Sequence, residues 1–203
     1  MKILFVALLV CLVSAKVYPR SKGYAIGNPS ASVELEFVVS LSCPDSKNAF
    51  LDVLPVIKKN FVDDGHVQLF VSIFPLPFHY SCYDLSVTAS VMSMLFEEDP
   101  RQYLNFLTNA FNKQHLFFND PVFNMTIASR HKTIYQELVA QFGISEHQFF
   151  SLFFKDTSAK TAFKAYSSRG IYGAPFYYLN GVAVEGAEKM GAQELSDLLN
   201  LLI

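Results

Sequence analysis

The 203-residue sequence predicts one large α/β domain with the element order β-α-β, a helical block, then β-β-α. Three observations carry that prediction. Two strand-like apolar runs bracket a single helical pattern early in the chain. From Cys82 to about Ser168 every apolar period is helical. Near the end, an Asn-Gly pair separates two short β-rich runs, a strong hairpin signal.

Residues 1–15 read as a secretory signal: Lys2 is the charged start, Ile3 to Val13 the apolar core, and Val13-Ser14-Ala15 the small-residue cleavage site. That core is too short to span a bilayer. The domain is then expected over residues 16–203, in an oxidising compartment where disulfides persist. From Val33 to Val39, Val33, Leu35, Phe37 and Val39 face one way and Glu34, Glu36 and Val38 the other, as in a strand. Ala49, Phe50, Val53, Leu54, Ile57 and Phe61 recur at helical spacing, with Pro44 suited to a first turn and Pro55 expected to kink the helix. Val67 to Phe74 is the second strand, closed by Pro75-Leu76-Pro77. The helical insertion, about residues 80–168, shows one face at Val87, Val91, Met94 and Leu95. Further faces fall at Tyr103, Phe106, Leu107, Ala110 and Phe111, then at Ile127, Ile134, Leu138 and Phe142, where Gly143 is a helix stop. Phe176 to Leu179 and Val182 to Glu185 flank Asn180-Gly181. Leu195, Leu198, Leu199 and Leu202 mark a closing amphipathic helix.

A formal net charge of −2 with no long like-charged run gives no support for nucleic-acid binding. With 20 Phe and 10 Tyr, the chain has ample apolar mass for a core without disulfide staples. Cys11 leaves with the signal, so Cys43 and Cys82 remain, as one disulfide or as two thiols of different character. His66, His79, His115, His131 and His147 show no metal spacing with cysteine, so no metal is assigned.

Cys43-Pro44-Asp45-Ser46 at a strand-to-helix junction, Phe74-Pro75-Leu76-Pro77-Phe78-His79, and Arg169-Gly170-Ile171-Tyr172-Gly173-Ala174-Pro175-Phe176-Tyr177 stand in order along the chain. In these motifs the chain resembles the DsbA-like branch of the thioredoxin superfamily, and within it a group of secreted eukaryotic DsbA-like proteins. The resemblance covers essentially all of residues 16–203 and implies a thioredoxin-like α/β (α+β) fold with a helical insertion domain. It implies that Cys43 is the nucleophilic cysteine and Pro175 the cis-proline beside it. The dithiol pattern is broken, because Ser46 stands where the second cysteine would be. The acidic residue such proteins often keep in the preceding strand would be Glu36, seven positions before Cys43 and one further than the pattern.

A thiol at a helix N-terminus meets free N–H groups that favour the thiolate; otherwise Cys43 is a small buried residue or half a disulfide. Ser46, one turn on, is expected to turn its hydroxyl to the Cys43 sulfur. An alcohol is not deprotonated near neutral pH, so Ser46 cannot resolve a mixed disulfide. A cis bond at Pro175 would turn the Ala174 backbone towards Cys43 and offer an edge for an extended peptide; otherwise Pro175 simply opens an edge strand. Parallel strands end on one side of a sheet, which brings Cys82 towards Cys43 as a resolving or disulfide partner, or leaves it a buried free thiol. His79 either supports the thiolate or decorates the surface. Asn124-Met125-Thr126 is a glycosylation acceptor.

Three functions are carried forward. The first is a secretory-pathway thiol-disulfide oxidoreductase or isomerase-like protein with a single nucleophilic cysteine, acting on thiol- or disulfide-containing proteins or peptides. It needs no bound cofactor, with glutathione as a co-substrate option. The second is a redox-inactive thioredoxin-fold module that binds a peptide or protein. The third is a kappa-type glutathione transferase-like enzyme using Ser42 or Ser46. The chain ends Leu201-Leu202-Ile203 without a Lys-Asp-Glu-Leu signal, which points to secretion or an endomembrane lumen.

Overall fold

The computed structural model describes residues 23–97 and 99–203, so the expected signal peptide and Cys11 lie outside the described residues. Five strands form one sheet in the order β1-β3-β2-β4-β5: Tyr24–Ile26, Val33–Val39, Val67–Ile73, Phe176–Leu179 and Val182–Ala183 are β1 to β5 in chain order. β2 and β3 pair in parallel, as a β-α-β unit requires, with Val33 opposite Val67 and Val39 opposite Ile73. The pairs β1–β3, β2–β4 and β4–β5 are antiparallel. Asn180 and Gly181 both have positive φ, 49° and 80°, as the tight turn between β4 and β5 demands. β5 is shorter than the expected Val182 to Glu185. After Ala183 only the Val184 N–H still bonds the β4 backbone, at Tyr177 O, before Gly186 turns the chain away.

β1 has no forerunner in the sequence reading. Three residues are too few to show a period, and Gly23 marks why the strand fits. A Cβ there would lie 2.0 Å from the Val71 carbonyl oxygen, so only glycine lets β1 approach the β3 edge.

Pro44–Asn48, Ala49–Val53, Leu54–Ile57 and Lys58–Val62 run on as one helix, α1. Pro55 sits where wide, π-type turns give way to ordinary α turns, so the missing N–H is absorbed as a change in winding. Between β3 and β4 lie the helices of the insertion. The longer ones are α2 (Cys82–Leu95), α3 (Pro100–Asn112), α4 (Ile127–Ile134, continued by wider and tighter turns to Phe142), α5 (Glu146–Phe153) and α6 (Ser158–Ser168), with short turns at Gln114–Phe117 and Asn119–Val122 between α3 and α4. α7 (Ala192–Asn200) closes the fold. Three residues of the expected helix faces lie outside the core, Met94, Ile127 and Leu202, all more than a third exposed, and Leu202 lies past the end of α7 at Asn200. α2 is buried around much of its circumference, which blurs its apolar period, and Ile127 is the first residue of α4.

Alternation along β2 separates two cores. Val33, Leu35, Phe37 and Val39 join the large cluster that α1 and the insertion helices complete. Val38, on the other face, joins a smaller cluster with Cys43, Phe74, Leu76, Cys82, Tyr166, Ile171 and Tyr178. Both faces of the sheet are therefore covered, and Glu36 is buried on the second face.

Candidate active site

Three segments meet at one end of the sheet. Loop 40–43 leaves β2, segment 74–81 leaves its parallel neighbour β3, and loop 169–175 enters β4, whose Phe176 pairs with Val38. The Phe74 N–H bonds Val39 O at 2.7 Å and keeps the first two segments in step.

Cys43 has extended backbone angles immediately before α1, its N–H bonds Ser40 O at 3.0 Å, and its carbonyl accepts from the Lys47 N–H at 3.1 Å. The Ala174–Pro175 bond is cis, and the Cys43 thiol donates to Ala174 O at 3.1 Å. Cys43 and the backbone beside Pro175 are thus in direct contact, with Cys43 7% exposed. From the insertion, the buried Gln114 amide donates to Leu41 O at 3.0 Å and to Cys43 O at 2.8 Å. The sequence reading did not single out Gln114. It lies 71 residues from Cys43, and only a buried amide beside an apolar helix face could have hinted at an anchoring role.

Ser46 is fully buried, and its oxygen accepts the Ser40 N–H at 3.0 Å. That is a correction to the expected geometry, because Ser46 turns inward to the loop and makes no hydrogen bond with the sulfur. Ser40 also reaches the second thiol, with its Oγ 2.8 Å from Cys82 Sγ. Cys82, 1% exposed, accepts the Leu76 N–H at 3.1 Å and lies 3.8 Å from Phe74 O. Burial pushes the Cys82 thiol up, against the pull of the Ser40 and Leu76 hydrogen bonds. Cys43 and Cys82 share one apolar cluster, and both are free thiols. Ser42 is buried with its hydroxyl unpartnered among the described residues.

Glu36 is not at the sulfur. Its carboxylate holds Arg169, with Nη1 at 3.1 Å from Oε1 and Nη2 at 2.9 Å from Oε2. It also accepts the Tyr166 hydroxyl. That hydroxyl has one proton, so Ser72 Oγ, on its other side, must be the donor in its contact with Tyr166. The Arg169 guanidinium stacks over the Tyr178 ring, 3.6 Å from its centroid. Burial works against the Arg169 charge, and the hydrogen bond and negative charge of Glu36 more than compensate, leaving its pKa raised. The His79 ring lies 4.8 Å from that of Phe78, tilted by 54°, and makes no contact with Cys43 among the described residues; burial lowers its pKa. Asn119 pins this turn by accepting from Tyr80 N–H and donating to Phe78 O. Phe78, Tyr80 and Tyr172 are exposed on these segments, Tyr172 by 88%. Asn124 is exposed in a turn before α4, and Thr126 caps that helix. Among the described residues no cluster could hold a metal, and no helix is long and apolar enough to cross a membrane.

A sheet with a helix-start cysteine against a cis-proline, interrupted by a helical insertion, defines a thioredoxin-like fold of the DsbA type. The chain belongs to the family whose model is described as "Thioredoxin", matched over residues 20–200. No curated protein matches it by sequence. Among solved structures it is similar to α-DsbA1 of Wolbachia pipientis, at 16% identity and TM-score 0.69, covering 91% of this chain and 92% of that one. A putative protein-disulfide isomerase from Pseudomonas syringae gives 16% identity and TM-score 0.72, covering 91% and 99%. Oxidised BdbD of Bacillus subtilis gives 17% and 0.59, covering 88% and 91%. At these identities the likeness is one of fold.

Proposed function

We propose that the chain is a monothiol exchange protein of the secretory pathway, in which Cys43 forms mixed disulfides with thiol- or disulfide-bearing proteins or peptides. One observation carries this reading: the Cys43 sulfur lies at a helix start, 3.1 Å from the Ala174 carbonyl and beside cis Pro175. The Cys43 thiolate attacks one sulfur of a substrate disulfide. A new S–S bond forms, the old one breaks, and the departing thiolate takes a proton from water. Ser46 cannot attack the mixed disulfide. An external thiol such as glutathione does so, forming a disulfide with the substrate and returning Cys43 as thiolate. No bound cofactor is required. The signal-like residues 1–15 support the compartment, in which Asn124 would be a glycan acceptor.

The burial of Cys43 favours a second reading, a redox-inactive module that pairs an extended peptide beside Ala174–Pro175, with Phe78, Tyr80 and Tyr172 as contacts. A kappa-type glutathione transferase would need Ser42 or Ser46 at the glutathione sulfur, and both are buried. Site-mapped alkylation of the native protein against pH, before and after reduction, separates these readings, combined with incubation in glutathione disulfide. The exchange reading expects Cys43 to be labelled before Cys82 and to take up one glutathione. Labelling only after reduction would indicate a Cys43–Cys82 bridge. Failure of Cys43 to react in either state sinks the exchange reading and leaves the binding module.

A further inference from the structure

A cavity of about 490 Å³ lies between the β1–β3 edge of the sheet and helices α2, α3 and α6, with no cysteine in its wall. That volume is within the usual range for small-molecule sites, roughly 300–1,000 Å³. Its wall carries many hydroxyls, and the protons of five of them are already committed. Ser86 donates to Cys82 O at 2.7 Å, Ser93 to Ser90 O at 2.7 Å and Tyr24 to Phe96 O at 2.6 Å. Ser90 and Ser158 both donate to Asp156 Oδ2, at 3.0 and 3.1 Å. Every one of these acceptors is a carbonyl or carboxylate with no proton of its own, so the direction of each bond is fixed. What these hydroxyls leave for the cavity is oxygen lone pairs.

The charges agree with the lone pairs. Among the described residues no lysine, arginine or histidine lines the space, while Glu97 does. Glu97 and Asp156 form no ion pair with another described residue. The rings of Tyr24 and Tyr103 lie 4.3 Å apart in the wall and give the space an aromatic side. Tyr103 is 2% exposed, and its hydroxyl makes no hydrogen bond to a described residue, although it lines the cavity. That hydroxyl opens onto the cavity, where water or a ligand can meet it. A wall of acceptors and aromatic faces, with the Glu97 carboxylate in it and that of Asp156 behind Ser90 and Ser158, selects hydrogen-bond donors with positive charge and an apolar body. It repels carboxylates and phosphates.

We propose that this cavity is a binding site for an organic ammonium ion carrying an apolar or aromatic group. The test is an amide NMR titration of the full chain with phenethylammonium, run beside the neutral 2-phenylethanol and the anionic 3-phenylpropionate. The ammonium is expected to give saturable shifts at Gly23, Ala25, Ser86 and Ser93, with the alcohol about tenfold weaker and the acid without effect. Glu97→Lys, at an exposed position, should weaken the ammonium about threefold. Tyr103→Phe should weaken it about fivefold or more while preserving the spectrum of the free protein. Equal affinity for all three probes overturns the proposal. So do shifts confined to another surface, an affinity indifferent to Glu97→Lys, or no saturable shift with the ammonium.

Discussion

Replacing Arg169 by methionine tests whether the carboxylate buried in β2 depends on a partner 133 residues away. Methionine keeps much of the apolar stem and removes the charge. The Glu36 side chain is 7% exposed and that of Arg169 is 23% exposed, so the substitution leaves a nearly dry carboxylate that keeps its hydrogen bond from the Tyr166 hydroxyl but has no counter-charge. Breaking a buried pair from one side costs about 3–5 kcal/mol, and the partial exposure of Arg169 puts this case near the lower end. Loss of the guanidinium from the Tyr178 face, 3.6 Å away, contributes about 0.5–1 kcal/mol more. A total near 3–4 kcal/mol corresponds to a fall in Tm of roughly 6–15 °C for a chain of this length. Urea and thermal unfolding followed by circular dichroism and tyrosine fluorescence measure it, since the chain has no Trp. Adding Glu36→Gln removes the orphan charge while an amide oxygen still accepts from Tyr166, and should recover about 2 kcal/mol. A fall in Tm of less than about 2 °C for Arg169→Met refutes this dependence. A deeper loss on adding the second substitution refutes it equally.

Cys82→Ala leaves the buried Leu76 N–H without its acceptor and should cost about 1–3 kcal/mol by urea denaturation, with Cys43→Ala costing less. Gln114→Leu removes two donors from loop 41–43 and should cost a similar ~1–3 kcal/mol while raising the alkylation rate of Cys43 relative to the wild-type chain. Ser46→Cys restores the dithiol spacing. It should give a disulfide between Cys43 and the new thiol, detectable by mass spectrometry, and faster insulin reduction, at some loss of stability from the weaker sulfur acceptor for Ser40 N–H. Burial holds His79 below its ordinary value of 6.5, so the unfolded chain takes up this proton first as pH falls. The His79 contribution is whole above that value and is lost as pH falls through the folded value. His79→Asn should flatten this part of the stability–pH curve, and an unchanged curve would remove His79 as its source.

Local patterns carried most of the fold. β2 and β3 announced themselves by alternation, the hairpin by Asn180-Gly181, and the insertion by its unbroken helical period. β1 escaped because three residues show no period; its signature is Gly23, visible only once the β3 backbone lies against it. At the site, Cys43 and Pro175 were legible because each belongs to a motif with a backbone role. Gln114 and the Glu36–Arg169 pair were not, since nothing local distinguishes a buried amide or carboxylate from a solvated one until its distant partner is placed. Met94 shares an apolar face of α2 by its spacing, yet it borders a cavity, because period reports a face and not what covers it.

Ser46 shows where reading by chemistry alone falls short. By composition it is a missing thiol, which removes self-resolution from the motif. In the folded chain its oxygen takes the Ser40 N–H, the Ser40 carbonyl takes the Cys43 N–H, and the Ser40 hydroxyl meets Cys82. Ser40 thus joins the helix start, the Cys43 backbone and the second thiol. A cysteine at position 46 would have to supply the acceptor for a buried N–H as well as a nucleophile, and sulfur is the poorer acceptor. The serine therefore stabilises the loop that carries Cys43, and under the proposed function it leaves resolution of a mixed disulfide to outside thiols. Cys82, fixed by Ser40 and the Leu76 N–H, belongs to the same scaffold. In this arrangement the two thiols differ in kind: one meets the Ala174 carbonyl, and the other holds the turn behind it.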